Sequence, residues 1–285
     1  MTIARSRRGA AWGISGIVLA LGILAASVHA AGVERPTFGG RAMIVYVPAH
    51  LPPTGARALV VVLHGGLGNA DRIESARSEH GLNLDALAEK DGFIVAYLNG
   101  TPVTLRLGPD VLGWNAGSGC CGQSAANGID DVGYIRGAAG FLTGRYGLDR
   151  TRLYVMGHSN GAMMAQRMIC ETDVFAAAVA VSGPLNLDVQ TCPMARGRRV
   201  LAIHGADDEN VPIKGGRGTK GVSDAVYRSE DASQRTMEAS GAAYGLRIVP
   251  GADHMLDHID AALAQAEGTS VGALAVGFFG LGDPH

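Results

Sequence analysis

Aromatic residues, excess charge of either sign and metal-type cysteine spacing are all scarce in this 285-residue chain, and each scarcity excludes something. Aromatics make up only 5%, and no stretch reads as a separate binding module, so little is offered to an insoluble polymer surface. Formal net charge is -2 and no basic block follows the first few residues, so nothing points to a nucleic-acid surface and no nucleic-acid partner is expected. No Cys-x-x-Cys occurs and no His/Cys cluster has zinc spacing, so neither a metal nor another cofactor is expected. Internal repeats, heptads and low-complexity linkers are also missing. What remains is 47% hydrophobic, enough for one large α/β domain with a filled core.

The first residues read as an export signal. Arg5, Arg7 and Arg8 make a positive start, residues 10–28 are apolar, and Val28-His29-Ala30 fits a small-residue cleavage site. The expected organisation is a signal peptide over 1–30 and a single domain over 31–285, secreted or periplasmic and monomeric, with no membrane contact after cleavage. Arg7-Arg8 lacks the bulky apolar pair of a twin-arginine signal, and no cysteine follows for a lipid anchor. Four cysteines in an exported chain allow three pairings. Cys120 and Cys121 are adjacent and either pair elsewhere or close a ring with each other, which would leave Cys170 and Cys192 as the second pair.

Short, near-continuous apolar runs fall at 59–63, 93–98, 153–156, 175–181, 200–203 and 246–249. Continuous rather than alternating hydrophobicity marks strands covered on both faces, the habit of parallel sheets. Helix-like stretches lie between them at 84–89, 132–146, 162–170 and 225–239, which predicts a mostly parallel, doubly wound α/β sheet with helices on both faces. The run 41–47 ends at Pro48 and is expected at a sheet edge. Residues 271–279 are expected to close the domain as a helix. Asp130 and Asp131 are expected to cap the helix starting near Val132.

The chemistry-bearing residues follow these runs, where ligands bind in such sheets. After 153–156 comes Gly157-His158-Ser159-Asn160-Gly161, a strand-to-helix turn with two glycines flanking a serine: a nucleophile elbow. After 59–63 comes His64-Gly65-Gly66-Leu67, whose amides can approach a substrate oxygen. The oxyanion donors expected are Gly66, with Leu67 second, and the amide of Asn160. His64 is read as a scaffold residue rather than a base. After 200–203 come Asp207 and Asp208, between which spacing cannot decide for the acid that orients an imidazole. After 246–249 comes His254, giving the order serine, acid, histidine of α/β-hydrolases. His258 is read as a solvated helix residue. The histidines at 29, 50, 80, 158 and 285 make no case for the base. His158, beside the serine, and Trp114 are expected to face the substrate, though Trp114 could equally be a core aromatic.

From about Thr37 onward the chain resembles the secreted polyhydroxybutyrate depolymerase-like and feruloyl esterase-like α/β-hydrolases. The pieces that carry the resemblance include Tyr46-Val47-Pro48, Val62-Leu63-His64-Gly65, Trp114-Asn115, Cys120-Cys121-Gly122, the elbow itself, and His204-Gly205 through Val211-Pro212. In the group's His-Gly-x-x-Asp-x-x-Val-Pro string the acid is the fifth residue, so the resemblance implies Asp208. It also implies a disulfide between Cys170 and Cys192. The expected activity is that of a secreted serine carboxylic ester hydrolase acting through an acyl-enzyme formed by Ser159, Asp208 and His254. Its expected partner is a small or oligomeric ester, of polyhydroxyalkanoate, feruloyl or acetyl type. The alternatives are a serine peptidase or amidase on the same triad, and a non-catalytic secreted binding protein.

Overall fold

The computed structural model describes residue 1 and residues 31–75, 82–103, 111–221 and 223–282, so most of the expected export signal lies outside the described residues. Its strands begin with β1 (Gly32–Glu34), β2 (Thr37–Phe38), β3 (Arg41–Val47), β4 (Arg57–Leu63) and β5 (Ile94–Leu98). A small pair, β6 (Thr101–Pro102) and β7 (Leu112–Gly113), follows, and then β8 (Leu148–His158), β9 (Ala177–Val181) and β10 (Arg199–Gly205). A second small pair, β11 (Gly216–Arg217) and β12 (Val226–Tyr227), precedes the last strand, β13 (Ala243–Val249).

The central sheet runs β1-β3-β5-β4-β8-β9-β10-β13, with β2 paired to β3. From β5 onward every neighbouring pair is parallel, whereas β1, β2 and β3 join antiparallel. Residues 59–63 are wholly buried because both faces are covered: Leu59, Val61 and Leu63 enter one apolar layer, and Val60 and Val62 the other. That is the two-sided burial expected of a continuous apolar run.

Helices α1 (Ala70–Glu74), α2 (Leu84–Asp91), α7 (Leu256–Glu267) and α8 (Val271–Phe279) supply the layer behind Val60 and Val62. The short α3 (Gly122–Ala126) lies ahead of α4 (Asp131–Tyr146), α5 (Asn160–Glu171) and α6 (Glu230–Ala239), and the last three pack into the layer of Leu59 and Val61. No helix among the described residues is long and apolar enough to cross a membrane. The disulfide Cys170–Cys192 ties the end of α5 to the loop before β10, with Cα atoms 4.4 Å apart. Cys120 and Cys121 are bonded to each other.

Three local expectations need correction. The strand at 41–47 is not an edge, because β1 pairs outside it. Pro48 lies just past its end and removes no donor from the ladder. The helix expected from 225 starts only at Glu230, with the Ser229 hydroxyl accepting from the Ala232 amide at 3.1 Å, and the residues before it form β12. Asp130 caps α4 through the Gly133 amide at 2.7 Å, but Asp131 is buried and accepts from Arg41 at 2.6 Å and the Asn115 amide at 2.7 Å. It is a tie between layers rather than a second cap.

After β4 the chain passes first to β5 on one side and then to β8 on the other. The loops following β4 and β8 therefore diverge at a topological switch point, where a crevice opens beyond the strand ends.

Candidate active site

Ser159 sits at the switch point with φ 54° and ψ -119°, a strained backbone between β8 and α5. The turn closes only because its neighbours are glycines. A Cβ on Gly157 would strike the Gly161 carbonyl, and one on Gly161 would strike the carbonyls of Leu63 and His64. The Ser159 amide donates to Val181 at 2.8 Å, and the side chain is left half-buried and facing the crevice.

His254 and Asp208 come to it from the ends of β13 and β10. Ser159 Oγ is 2.9 Å from His254 Nε2, and His254 Nδ1 is 2.7 Å from Asp208 Oδ2. Gly205 permits the approach, since a Cβ there would run into the carbonyls of Ala252 and Asp253 in the loop that carries His254. Asp208 is buried while Asp207 is exposed, so only the former faces the imidazole. Burial works against the charged form of Asp208. The donors His204, His254 and the Val211 amide outweigh it and hold its pKa well below the usual carboxylate range. His258 lies on the exposed side of α7, 2.9 Å from Asp253.

The loop after β4 is tightly braced. His64 Nδ1 is 2.8 Å from the Gly65 carbonyl, and its Nε2 accepts from the Gly100 amide at 3.0 Å. Burial pushes its pKa down to about 4, so the ring is neutral and serves as scaffold. The amides of Gly66 and Asn160 both line the crevice and have no acceptor among the described residues. A Cβ on Gly66 would stand 3.6 Å from that of Asn160, so the two loops abut.

Trp114 does not face substrate. It is fully buried and donates from Nε1 to the His64 carbonyl at 3.0 Å. The Asn160 side chain grips its backbone, accepting from the Trp114 amide at 2.7 Å and donating to the Trp114 carbonyl at 3.0 Å. Trp114 thus joins the loop after β4 to the elbow from behind. His158 does line the crevice, and its Nε2 lies 2.8 Å from the His254 carbonyl.

Sequence reading missed the residues behind Asp208. His204 lies between Asp208 and Glu230, and Tyr244 donates to Glu230 at 2.8 Å. His204 carried a signal, a polar residue at the end of an apolar run. Glu230 and Tyr244 carried none, because their pairing is made across separate elements.

The cavity in front of Ser159 has a volume of about 1160 Å³, above the ~300–1,000 Å³ common for small-ligand sites. Val211, Val226, Tyr227 and Met255 give it an apolar wall, and Val226 and Met255 remain exposed at its mouth. A second cavity of about 430 Å³ adjoins it past Leu67 and His158 and holds Arg72. Among the described residues no cluster of His, Cys, Asp or Glu could hold a metal ion.

A mostly parallel sheet wound on both faces, with a strained serine at the switch point, decides the architecture. The fold is that of an α/β-hydrolase. Solved structures agree at this level: acetyl xylan esterase from Aspergillus awamori superposes with a TM-score of 0.58 at 18% identity, covering 88% of this chain and 100% of that one. Poly(3-hydroxybutyrate) depolymerase LpqC from Bordetella parapertussis gives 0.54 at 14% identity, covering 88% and 95%. In sequence, feruloyl esterase B from Piromyces equi is 31% identical over 180 residues, which is 62% of this chain and 31% of that protein. The chain spans between about a third and about a half of the length of the curated relatives it matches. The prolyl oligopeptidase family model matches residues 86–195, a stretch that holds the elbow but stops short of Asp208 and His254.

Proposed function

We propose that the protein is a serine carboxylic ester hydrolase that works through an acyl-enzyme. The observation that carries this reading is the unbroken chain from Ser159 Oγ through His254 to Asp208, at 2.9 and 2.7 Å, on the floor of an open apolar cavity. His254 Nε2 takes the Ser159 proton as Oγ bonds to the acyl carbon, and the carbonyl oxygen becomes an oxyanion facing the amides of Gly66 and Asn160. Asp208 holds Nδ1–H and offsets the charge on the ring. The alcohol then leaves with the proton from His254. Water gives a proton to His254 as it attacks the acyl carbon, and Ser159 recovers that proton as the acid departs.

The substrate class we favour is an oligoester of hydroxyalkanoate type or a feruloyl or acetyl ester, on the strength of the cavity's size and apolar wall and of what the similar proteins are named for. Export, proposed from the charged and apolar pattern of residues 1–30, agrees with a disulfide at Cys170–Cys192. The test is hydrolysis of p-nitrophenyl butyrate by Ser159→Ala. A loss on the order of a million-fold is expected, and a parental rate would end the proposal. A panel of hydroxybutyrate oligomers, methyl ferulate and acetylated xylan ranks the esters. The prolyl oligopeptidase match over 86–195 favours amide hydrolysis as a second reading, which a p-nitroanilide cleaved faster than its matching ester would establish.

A further inference from the structure

Three acceptor oxygens enclose the ring of His204. Its Nδ1 lies 2.8 Å from Glu230 Oε1, and its Nε2 lies 2.9 Å from the Val211 carbonyl and 3.1 Å from Asp208 Oδ2. A carbonyl only accepts, so Nε2 carries a hydrogen, and a carboxylate facing Nδ1 calls for a second one there. The ring is therefore an imidazolium, with no solvent exposure at all. Burial alone would lower its pKa, but the carboxylates of Asp208 and Glu230 outweigh that and raise it to about 9.

This cation shares one oxygen with the proposed base. Asp208 Oδ2 faces His254 Nδ1 and His204 Nε2 together, while Oδ1 accepts from the amides of Asn210 and Val211 at 2.8 Å each. Two carboxylates and one imidazolium leave the buried group with a single net negative charge, which the imidazolium forming on His254 would neutralise. An imidazolium at His204 with no charge on Glu230 would cancel Asp208, and the proton on His254 would then meet no net counter-charge. The hydroxyl of Tyr244 holds the other oxygen of Glu230 at 2.8 Å, and Tyr244 stays protonated because burial and Glu230 push its pKa well up.

We infer that His204 and Glu230 are positioning residues for Asp208: His204 fixes the carboxylate through the same oxygen that grips His254, and Glu230 supplies the charge that lets one aspartate serve two imidazoles. This rests on the ester-hydrolase reading above. The other ionisable groups around the cluster are His158 on β8, with its ring 5.1 Å from that of His254, Asp253 in the His254 loop, and the exposed Asp257 and His258 in the first turn of α7. Lys220 and Glu209 pair with each other near the cavity rim.

The test is Glu230→Gln, which keeps the shape and removes the charge. On p-nitrophenyl butyrate, kcat is expected to fall about tenfold or more with KM nearly unchanged, and the acid limb of kcat/KM to move to lower pH. Tyr244→Phe, which removes a hydroxyl but no charge, is expected to leave that limb in place. An acid limb unmoved in Glu230→Gln, or moved equally in Tyr244→Phe, overturns the inference. Should Glu230→Gln fail to fold, the unaltered enzyme decides: nitrogen chemical shifts of the His204 ring are expected to show both nitrogens protonated throughout the neutral range. A His204 ring that titrates with the exposed histidines overturns the inference equally. If Ser159→Ala hydrolyses like the parent, the reaction reading itself has failed. If it is inactive while Glu230→Gln keeps the parental limb, only the present inference falls.

Discussion

His158 reaches from the elbow to the chain that carries the proposed base: its Nε2 lies 2.8 Å from the carbonyl oxygen of His254. Burial, together with the neighbouring His254, lowers the His158 pKa to about 4, so the ring is neutral and Nε2–H donates. The second residue of the elbow thus fixes the loop at 254 as well as flanking the proposed nucleophile. Removing one such bond costs about 1 kcal/mol. His158→Ala is therefore expected to lower the melting temperature by about 2–4 °C and, by loosening the loop that carries His254, to lower kcat/KM on p-nitrophenyl butyrate.

In the proposed mechanism Ser159 and His254 act on a single proton, so their removal should not add. His254→Ala is expected to match Ser159→Ala in turnover, and the double variant to lose no further activity. Steady-state rates of the three variants check this, and a double variant far below either single one would show that the two side chains work separately.

Stability should peak in the middle of the pH range, because two kinds of buried histidine pull in opposite directions. The fold holds His64 at about 4 against an ordinary 6.5, so between those values the unfolded chain binds a proton that the folded chain refuses. Stability is then complete above 6.5 and lost as pH falls toward 4, and His158 adds in the same sense. His204, raised to about 9, does the reverse: its contribution is complete below 6.5 and lost as pH rises toward 9. Each fully shifted proton is worth up to ~1.4 kcal/mol per pH unit. Calorimetric melting across pH 5 to 9 should give a maximum near the ordinary histidine value, and a melting temperature rising steadily to pH 9 would contradict these charge states.

The Cys170–Cys192 bridge closes a separation of 22 residues. By the chain-entropy relation its loss costs about 3 kcal/mol. The Cys170→Ala/Cys192→Ala pair is expected to unfold at correspondingly lower urea while keeping the parental KM, since the bridge lies at the far end of α5 from Ser159.

Local patterns in the chain were enough for the parallel strands of the central sheet and for the glycine-flanked turn at Ser159. A continuous apolar run such as 59–63 can only be satisfied by cover on both faces, and Gly157 and Gly161 announce a turn with no room for side chains. These are properties of neighbours in sequence, so they are legible there. Tertiary structure alone decided what lies beside what. The run 41–47 looked like an edge until three residues at 32–34 paired outside it. Trp114 fitted a cavity residue and a core aromatic equally until His64 and Asn160 enclosed it, and Glu230 gave no sign of meeting His204 across 26 positions of chain. Buried polar partners are selected by the crossing of separate elements, and the free energy of each pairing exists only once water has been excluded from between them.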